Sequence, residues 1–310
     1  MSLTFTSKRD YLDYVAAYKI ENDNYFKSID DFKYAIDKSR YLVLAYENDI
    51  LVGFARAISE GVETAFIIGA YAINDSFLIK YQLIIELEKL LDGKRKMLFS
   101  NPLDIELYEK LGYLRCKNAY TYINFNIDDY KGYFLPKGYK FETEFYRPKK
   151  EKNIVKSEKI IDYRNSISNV LFSDINDLLT RAFFNRPHDI EKTKKAFLES
   201  DYFYAAFDNE KLIGIARAIT DGRFSTILNV AVDPDYQGLN IGKNIVLKLS
   251  EELKDTIVFL NTHAGSAGFY NKIDEYRRNK TAFEKGFGKI KDPVINEMFL
   301  PNEFRFIDEY

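Results

Sequence analysis

The stretch VAVDPDYQGLNIGK, from Val230 to Lys243, decides how the rest of the chain is read. A short apolar run ends in Asp-Pro, a loop carrying two glycines follows, and apolar residues then recur at helical spacing. The pattern is strand, loop, helix. Successive backbone N–H groups in such a loop converge on an anion, and the helix N-terminus adds partial positive charge. Gly238 and Gly242 allow close approach of a ligand and backbone conformations with positive φ. Lys243 can add a cation. Two glycines before a helix also mark ordinary loops, so the surroundings must carry the reading.

Those surroundings are duplicated. YLVLAYENDILVGFARAISEG begins at Tyr41 and YFYAAFDNEKLIGIARAITDG at Tyr202, with Gly53 falling on Gly214. Each reads as two strands joined by a polar turn, a hairpin signature. Further on, QLIIELEKLL from Gln82 matches NIVLKLSEEL from Asn244. ELYEKLGY, with Tyr108, matches GFYNKIDEY, with Tyr270, one residue out of register. Internal similarity of this length indicates two copies of one fold. In each copy amphipathic helical segments precede the hairpin. An apolar strand, a helix, a second strand, a short helix and a closing strand region follow. The predicted class is mixed α/β: two tandem domains, each a largely antiparallel sheet with one parallel pair, flanked by helices. The expected units are 1–150 and 151–310, joined near Pro148 to Asn153. In the first copy the opening stretch is replaced by AYAINDSFLIKYQ, whose loop has no glycine.

Composition bounds the function. A chain of 310 residues accommodates two domains. Apolar residues at 46% and charged residues at 30% fit a globular protein. A net charge of −2 offers no field to draw in nucleic acid or an anionic membrane, so neither is an expected partner. The basic run at Arg147, Lys149, Lys150 and Lys152 is interleaved with acids and reads as a solvated linker. Cys116 is the one cysteine, so no intrachain disulfide forms; a reducing, cytoplasmic setting fits. The N-terminus lacks the apolar core of a signal peptide. AFIIGAYAI is about half the length of a membrane helix. Two histidines and one cysteine make a His/Cys metal cluster unexpected.

NVAVDPDYQGLNIGKNIVLKL resembles the acyl-CoA pyrophosphate loop of the GNAT N-acetyltransferase superfamily. There a Val-rich strand and an acidic-Pro turn lead into Gln/Arg-x-x-Gly-x-Gly/Ala at the start of a helix. Gln237 takes the first position and Gly242 the last, with Asn240 in place of the middle glycine. Asn is the residue next best at tolerating a left-handed backbone. FLNTHAGSAGFYNKI resembles the fifth strand and the Phe-Tyr helix of the family, although IDEY replaces the usual Gly-Phe that follows. The resemblance covers about the C-terminal 150 residues; the first half shares it more distantly.

The resemblance implies acetyl transfer from acetyl-CoA, without a metal, to a primary amine on a small molecule, peptide or protein. It implies cofactor contacts along Val230, Ala231 and Val232 and around Gln237, Gly238, Leu239, Asn240, Ile241, Gly242 and Lys243. The N–H of Val230 would meet the developing oxyanion, and Tyr270 would protonate the leaving thiolate. An aromatic at a helix–sheet contact gives the same pattern as Tyr270. The fourth strand offers Leu228 and Asn229 where relatives carry a carboxylate. His263, with an ordinary pKa of about 6.5, is then the candidate base. Asp221 acting through water is the other, although TDG is first a turn signal. His188 reads as a helix-entry residue. The first copy is expected to keep the fold and not bind CoA, with Tyr108 retained for packing. A non-catalytic acyl-CoA-binding or regulatory protein is the alternative. Oligomeric state is open.

Overall fold

The computed structural model describes residues 3–21, 26–130, 132–137, 139–141, 160–168, 170–183, 189–286, 297–301 and 304–306. The expected linker at Pro148–Asn153, its basic run and His188 lie outside them. In chain order the first half contains β1 (Leu3–Thr6), α1 (Tyr14–Glu21), α2 (Ile29–Lys38), β2 (Tyr41–Glu47), β3 (Ile50–Ser59), β4 (Thr64–Ala72), α3 (Phe77–Leu90), β5 (Arg95–Phe99), α4 (Ile105–Lys110), β6 (Leu114–Arg115) and β7 (Ala119–Tyr122). The second half contains β8 (Asp162–Arg164), α5 (Phe172–Ala182), α6 (Ile190–Leu198), β9 (Tyr202–Asp208), β10 (Lys211–Thr220), β11 (Phe224–Val232), α7 (Ile241–Glu252), β12 (Ile257–Asn261), α8 (Ala267–Tyr270), β13 (Tyr276–Arg278) and β14 (Ala282–Lys285).

Local chemistry accounts for these elements. The β2–β3 turn puts Asn48 and Asp49 at φ 49° and 62°, and the β9–β10 turn puts Asn209 at φ 54°. Asn and Asp tolerate that region better than other side chains. Helix α2 starts at Ser28, whose hydroxyl accepts from the Asp31 N–H, and buries Phe32, Ala35 and Ile36 on one face. Helix α7 buries Ile241, Ile245, Val246 and Leu249 against the second sheet.

Among the described residues the strands form two seven-stranded sheets, ordered β1-β2-β3-β4-β5-β14-β6 and β13-β7-β12-β11-β10-β9-β8. The pairs β4–β5 and β11–β12 are parallel and the others antiparallel, as hairpins combined with one strand–helix–strand unit predict. Each sheet also contains one strand from the other half of the chain, which the repeat did not reveal. Strand β14 lies between β5 and β6, with Phe283 opposite Leu98 and Arg115. Strand β7 lies between β12 and β13, with Thr121 opposite Phe259 and Arg277.

The two crossing segments bond to each other. The Cys116 N–H donates to the Ala282 carbonyl and the Asn279 N–H to that of Ala119, both at 2.8 Å. Lys117, Asn118, Lys280 and Thr281 in these crossings are all buried.

Between the sheets lies a shared apolar layer containing Ile58, Phe66 and Met97 from one half and Ile219, Ile257 and Phe259 from the other. Phe99 stacks on Phe259 with centroids 4.1 Å apart. Two ion pairs repeat across this layer. Arg56 bonds Asp221 and reaches Glu21 at 3.6 Å; Arg217 lies 3.9 Å from Glu60. All five side chains are at most 4% exposed. Each acid also caps its own turn: Asp221 accepts from the N–H groups of Arg223 and Phe224, and Glu60 from those of Glu63 and Thr64. Burial disfavours the Arg56 charge, but Asp221 and Glu21 outweigh it and hold the guanidinium protonated.

A strand missing from the middle of a sheet leaves its neighbours' N–H and C=O groups unpaired, at about 1–3 kcal/mol for each buried group. Residues 160–310 expressed alone, lacking β7, should therefore be insoluble or lack cooperative unfolding. Co-expression with residues 1–150 should give a soluble one-to-one complex. A well-folded, cooperatively unfolding 160–310 fragment would contradict the exchange.

Candidate functional site

The site begins at a defect in strand pairing. Ile215 pairs with Ala231, but Arg217 pairs with Leu228. Asn229 and Val230 therefore share a single partner position, a bulge that bends β11. Asn229 sits at φ 53°, and its side-chain oxygen accepts from Arg217 Nε at 2.6 Å. This residue, standing where a carboxylate base was sought, is a brace for the bulge. The parallel pairing of β11 with β12 ends at Thr226 opposite Phe259. Beyond that point the strands part, and Val230 lies on the open side outside the paired register.

The loop follows directly. Asp233 is buried, accepts from the Asp235 N–H at 3.0 Å, and pairs with Arg181 and with Lys211, the latter at 3.1 Å. Burial pushes its pKa up, but the backbone N–H and the two cations outweigh this and hold it below the usual carboxylate range. Its contribution to the turn is thus present above the ordinary Asp pKa and is lost as pH falls through the lowered folded value. Tyr236 donates to Asp208 at 2.7 Å, which pushes the phenol up to about 12. The Gln237 amide donates to the Val232 carbonyl at 3.1 Å. These contacts fix the loop from below and leave Gln237, Gly238 and Asn240 exposed.

Gly238 has φ 93°, and a Cβ built there would meet nothing within 4 Å. Asn240 has φ 60° and ψ 10°, left-handed, and is the N-cap of α7 without a side-chain capping bond. Its presence where a glycine was expected is explained by that conformation. The first N–H groups of α7, from Ile241, Gly242 and Lys243, have no partner within the helix. Exposed loop, left-handed corner and helix N-terminus together fit the anionic end of a coenzyme. A Cβ on Gly242 would lie 3.3 Å from Val232 and 3.4 Å from Phe269, so this glycine also serves helix–sheet packing.

The structure brings Tyr270 together with the strand and loop: Val230, Val232, Leu239 and Ile241 pack with it in one apolar cluster. Tyr270 is 4% exposed and packs against Tyr120, 5.3 Å between centroids, from the exchanged strand β7. Burial pushes its phenol well above the ordinary range, so it is fully protonated. His263 lies outside this cluster, exposed in the turn after β12. Asp221 is fully buried in the Arg56 pair and its own turn, which corrects its reading as a water-assisted base.

The first copy differs at the loop in length as well as composition. Gly53 packs on Ile79 and Leu83 as Gly214 packs on Ile241 and Ile245, which aligns the two helices. Ala72 and Val232 close the equivalent strands, opposite Gly53 and Gly214. The connection from Ala72 to Ile79 is therefore two residues shorter than that from Val232 to Ile241. Lys80 takes the helical position of Gly242, is 5% exposed, and pairs with Asp75 and Asp104. An internal ion pair occupies the region where the second copy is open.

A cleft nevertheless remains in the first copy, about 230 Å³, beside the parting of β4 and β5. Tyr108 lines it, together with Phe224 and Phe259 from the second half. Among the described residues, no group of three or more His, Cys, Asp or Glu could hold a metal, and no helix is long and apolar enough to cross a membrane.

Substitutions at Asn240 test the loop geometry. Asn240→Gly should leave stability intact. Asn240→Val should lower the urea midpoint by the equivalent of about 1–2 kcal/mol, the cost of a branched side chain in the left-handed region. Equal stability of the two variants would contradict the left-handed corner.

Residues 172–274 match the model of the acetyltransferase (GNAT) family. The chain is 29% identical over 140 residues to an uncharacterized N-acetyltransferase, ycf52, of Pyropia yezoensis, covering 42% of this chain and 71% of that one. A 45-residue segment is 53% identical to GCN5-related N-acetyltransferase 2, chloroplastic, of Arabidopsis thaliana, covering 14% of this chain and 17% of that protein. A solved tandem GNAT protein from the clavulanic acid biosynthesis pathway superposes with a TM-score of 0.51 at 11% identity, covering 94% of this chain and 100% of that one. At that identity the likeness is one of fold.

Proposed function

The chain belongs to the GNAT acetyltransferase superfamily as a tandem protein, and from that premise we propose that it transfers an acetyl group from acetyl-CoA to a primary amine of a small molecule, peptide or protein, at a site in the second copy. The observation that carries this reading is the asymmetry of the two loops. Only the second has the exposed Gly238, the left-handed Asn240 and the open helix N-terminus.

Bound acetyl-CoA supplies an activated acyl group as a thioester. The N–H groups from Gly238 to Lys243 would hold its anionic end, with Gln237 bordering the loop and the Lys243 ammonium adding charge. Val230, Ala231 and Val232 offer the bent strand that would hold the coenzyme arm. The Val230 N–H, at the bulge, would donate to the acyl oxygen as negative charge develops there. His263, exposed in the turn after β12, would be the group that accepts the proton the acceptor ammonium must lose. As the amine nitrogen bonds to the acyl carbon and the carbon–sulfur bond breaks, Tyr270 would give its phenolic proton to the departing sulfur and be reprotonated by the second proton that the nitrogen loses. Holding both reactants in one cleft supplies a further part of the acceleration. A metal-free, cytoplasmic enzyme with no nucleic-acid or membrane partner completes the proposal.

The depth of Tyr270 supports a second reading, a protein that binds acyl-CoA without turnover. One series separates the two. Thiol release is followed over a panel of amines for the natural chain and for Tyr270→Phe. Transfer predicts measurable turnover and a kcat lowered about a hundredfold in the variant, with acetyl-CoA affinity within about twofold. Coenzyme binding without turnover on any amine would favour the second reading. Unchanged kcat would remove Tyr270 from the mechanism.

A further inference from the structure

The strand that the first half lends to the second sheet carries one side chain into the candidate site. Tyr120, in β7, stands opposite Leu260 of β12 and Arg278 of β13. It is 1% exposed, and its ring lies 5.3 Å from that of Tyr270. Its hydroxyl accepts from Arg278 Nε at 3.2 Å and Nη2 at 2.9 Å. Its one proton faces the Asn271 side-chain oxygen at 3.0 Å and the Ala267 carbonyl at 3.2 Å. Arg278 is buried too, and a cationic donor holds an acceptor more tightly than a neutral one.

These contacts frame Tyr270. Helix α8 is a single turn, Ala267–Tyr270, and one turn gains too little from its own hydrogen bonds to hold its place. Ala267 opens it and Asn271 is its C-cap, so the Tyr120 hydroxyl grips both ends of the turn that carries Tyr270. Among the described residues nothing hydrogen-bonds the Tyr270 hydroxyl. Its position is set by its ring and its backbone, and Tyr120 reaches both.

The first copy provides the comparison. At the equivalent place β14 puts Phe283, opposite Arg115 and against Tyr108, 5.8 Å between centroids. Phe283 has no hydroxyl, and Arg115 donates to the Lys280 carbonyl at 2.6 Å. Glu109, standing where the second copy has Asn271, pairs with Arg305. The ring contact is common to both copies, as sheet packing requires. The hydroxyl link from arginine to the short helix occurs only in the copy with the open loop.

We propose that Tyr120 is a positioning residue for acetyl transfer in the second copy: through Asn271 and α8 it holds the Tyr270 phenol where the sulfur departs. This rests on the reading of Tyr270 as the proton donor. The site that transfers is then built by both halves, although one copy alone holds the coenzyme.

Tyr120→Phe puts the first copy's ring into the second and keeps the ring contact. In the full chain it should keep a cooperative urea transition, acetyl-CoA affinity and the KM for the amine within about twofold, and lower kcat about tenfold; misplacing a reacting group by about 1 Å costs up to about a hundredfold. Asn271→Ala should do the same. In a Tyr270→Phe background both should have almost no further effect on kcat, because the group they position is gone. Unchanged kcat in both variants, a change in KM alone, or an equal loss with and without the Tyr270 hydroxyl would overturn the positioning role and leave that of Tyr270 standing. No turnover by the natural chain over the amine panel, or unchanged kcat in Tyr270→Phe, would instead remove the reading on which this role rests, and the role with it. Asn271 is half-buried, and its variant decides the matter alone if Tyr120→Phe fails to fold.

Discussion

A β-strand inside a sheet must find hydrogen-bond partners on both sides, and here each sheet finds one of its inner strands in the other half of the chain. Strand β14 completes the first sheet and β7 the second. Burying a strand's polar backbone is tolerable only when it is paired, so neither sheet is complete without both halves. The crossing segments, the stacked Phe99 and Phe259, and the reciprocal Arg56–Asp221 and Arg217–Glu60 pairs all lie on this junction. A buried ion pair gains little over an apolar replacement, but removing one partner costs about 3–5 kcal/mol. The pairs therefore act less as added stability than as a requirement that the two copies meet in one register.

This arrangement gives the first copy a structural role that does not depend on its loop. The first copy supplies β7 to the second sheet, and Tyr120 on that strand packs against Tyr270. Its own loop is two residues shorter, and Lys80 fills the space. The first copy still has the parting of β4 from β5, beside its own bulge between Arg56 and Ala57. Loop chemistry and sheet geometry have thus diverged independently. The fold needs the second and not the first.

Much of this was legible in the residues. The hairpins, the parallel pair, the helix following the loop and the duplication all follow from periodicity and turn chemistry. Asn240 was legible too, since a left-handed corner is the one demand that both Gly and Asn meet. The exchange was not legible, for a physical reason. AYTY in β7 and AFEK in β14 occupy equivalent positions in equivalent copies, and a strand that fits one sheet fits the other. Asp221 illustrates the same limit: TDG correctly announces a turn, but the partner that buries its carboxylate is Arg56, 165 positions away. One signal was present, an arginine at the same place in two otherwise apolar strands, ARAIS and ARAIT. A buried guanidinium in both copies requires an acid for each, and the turns supply them. The cleft was invisible because its walls are drawn from both halves.

The central claim is that the two copies share one architecture but only the second receives the coenzyme. Calorimetric titration of the full chain with acetyl-CoA measures this directly. The account predicts one equivalent per chain, abolished by Gly238→Glu, since that substitution places a carboxylate on the exposed loop. Two equivalents, or one that persists in Gly238→Glu, would place coenzyme in the first copy and contradict the reading of its shortened loop. No binding at all would remove acetyl transfer and leave the exchanged sheets serving another chemistry.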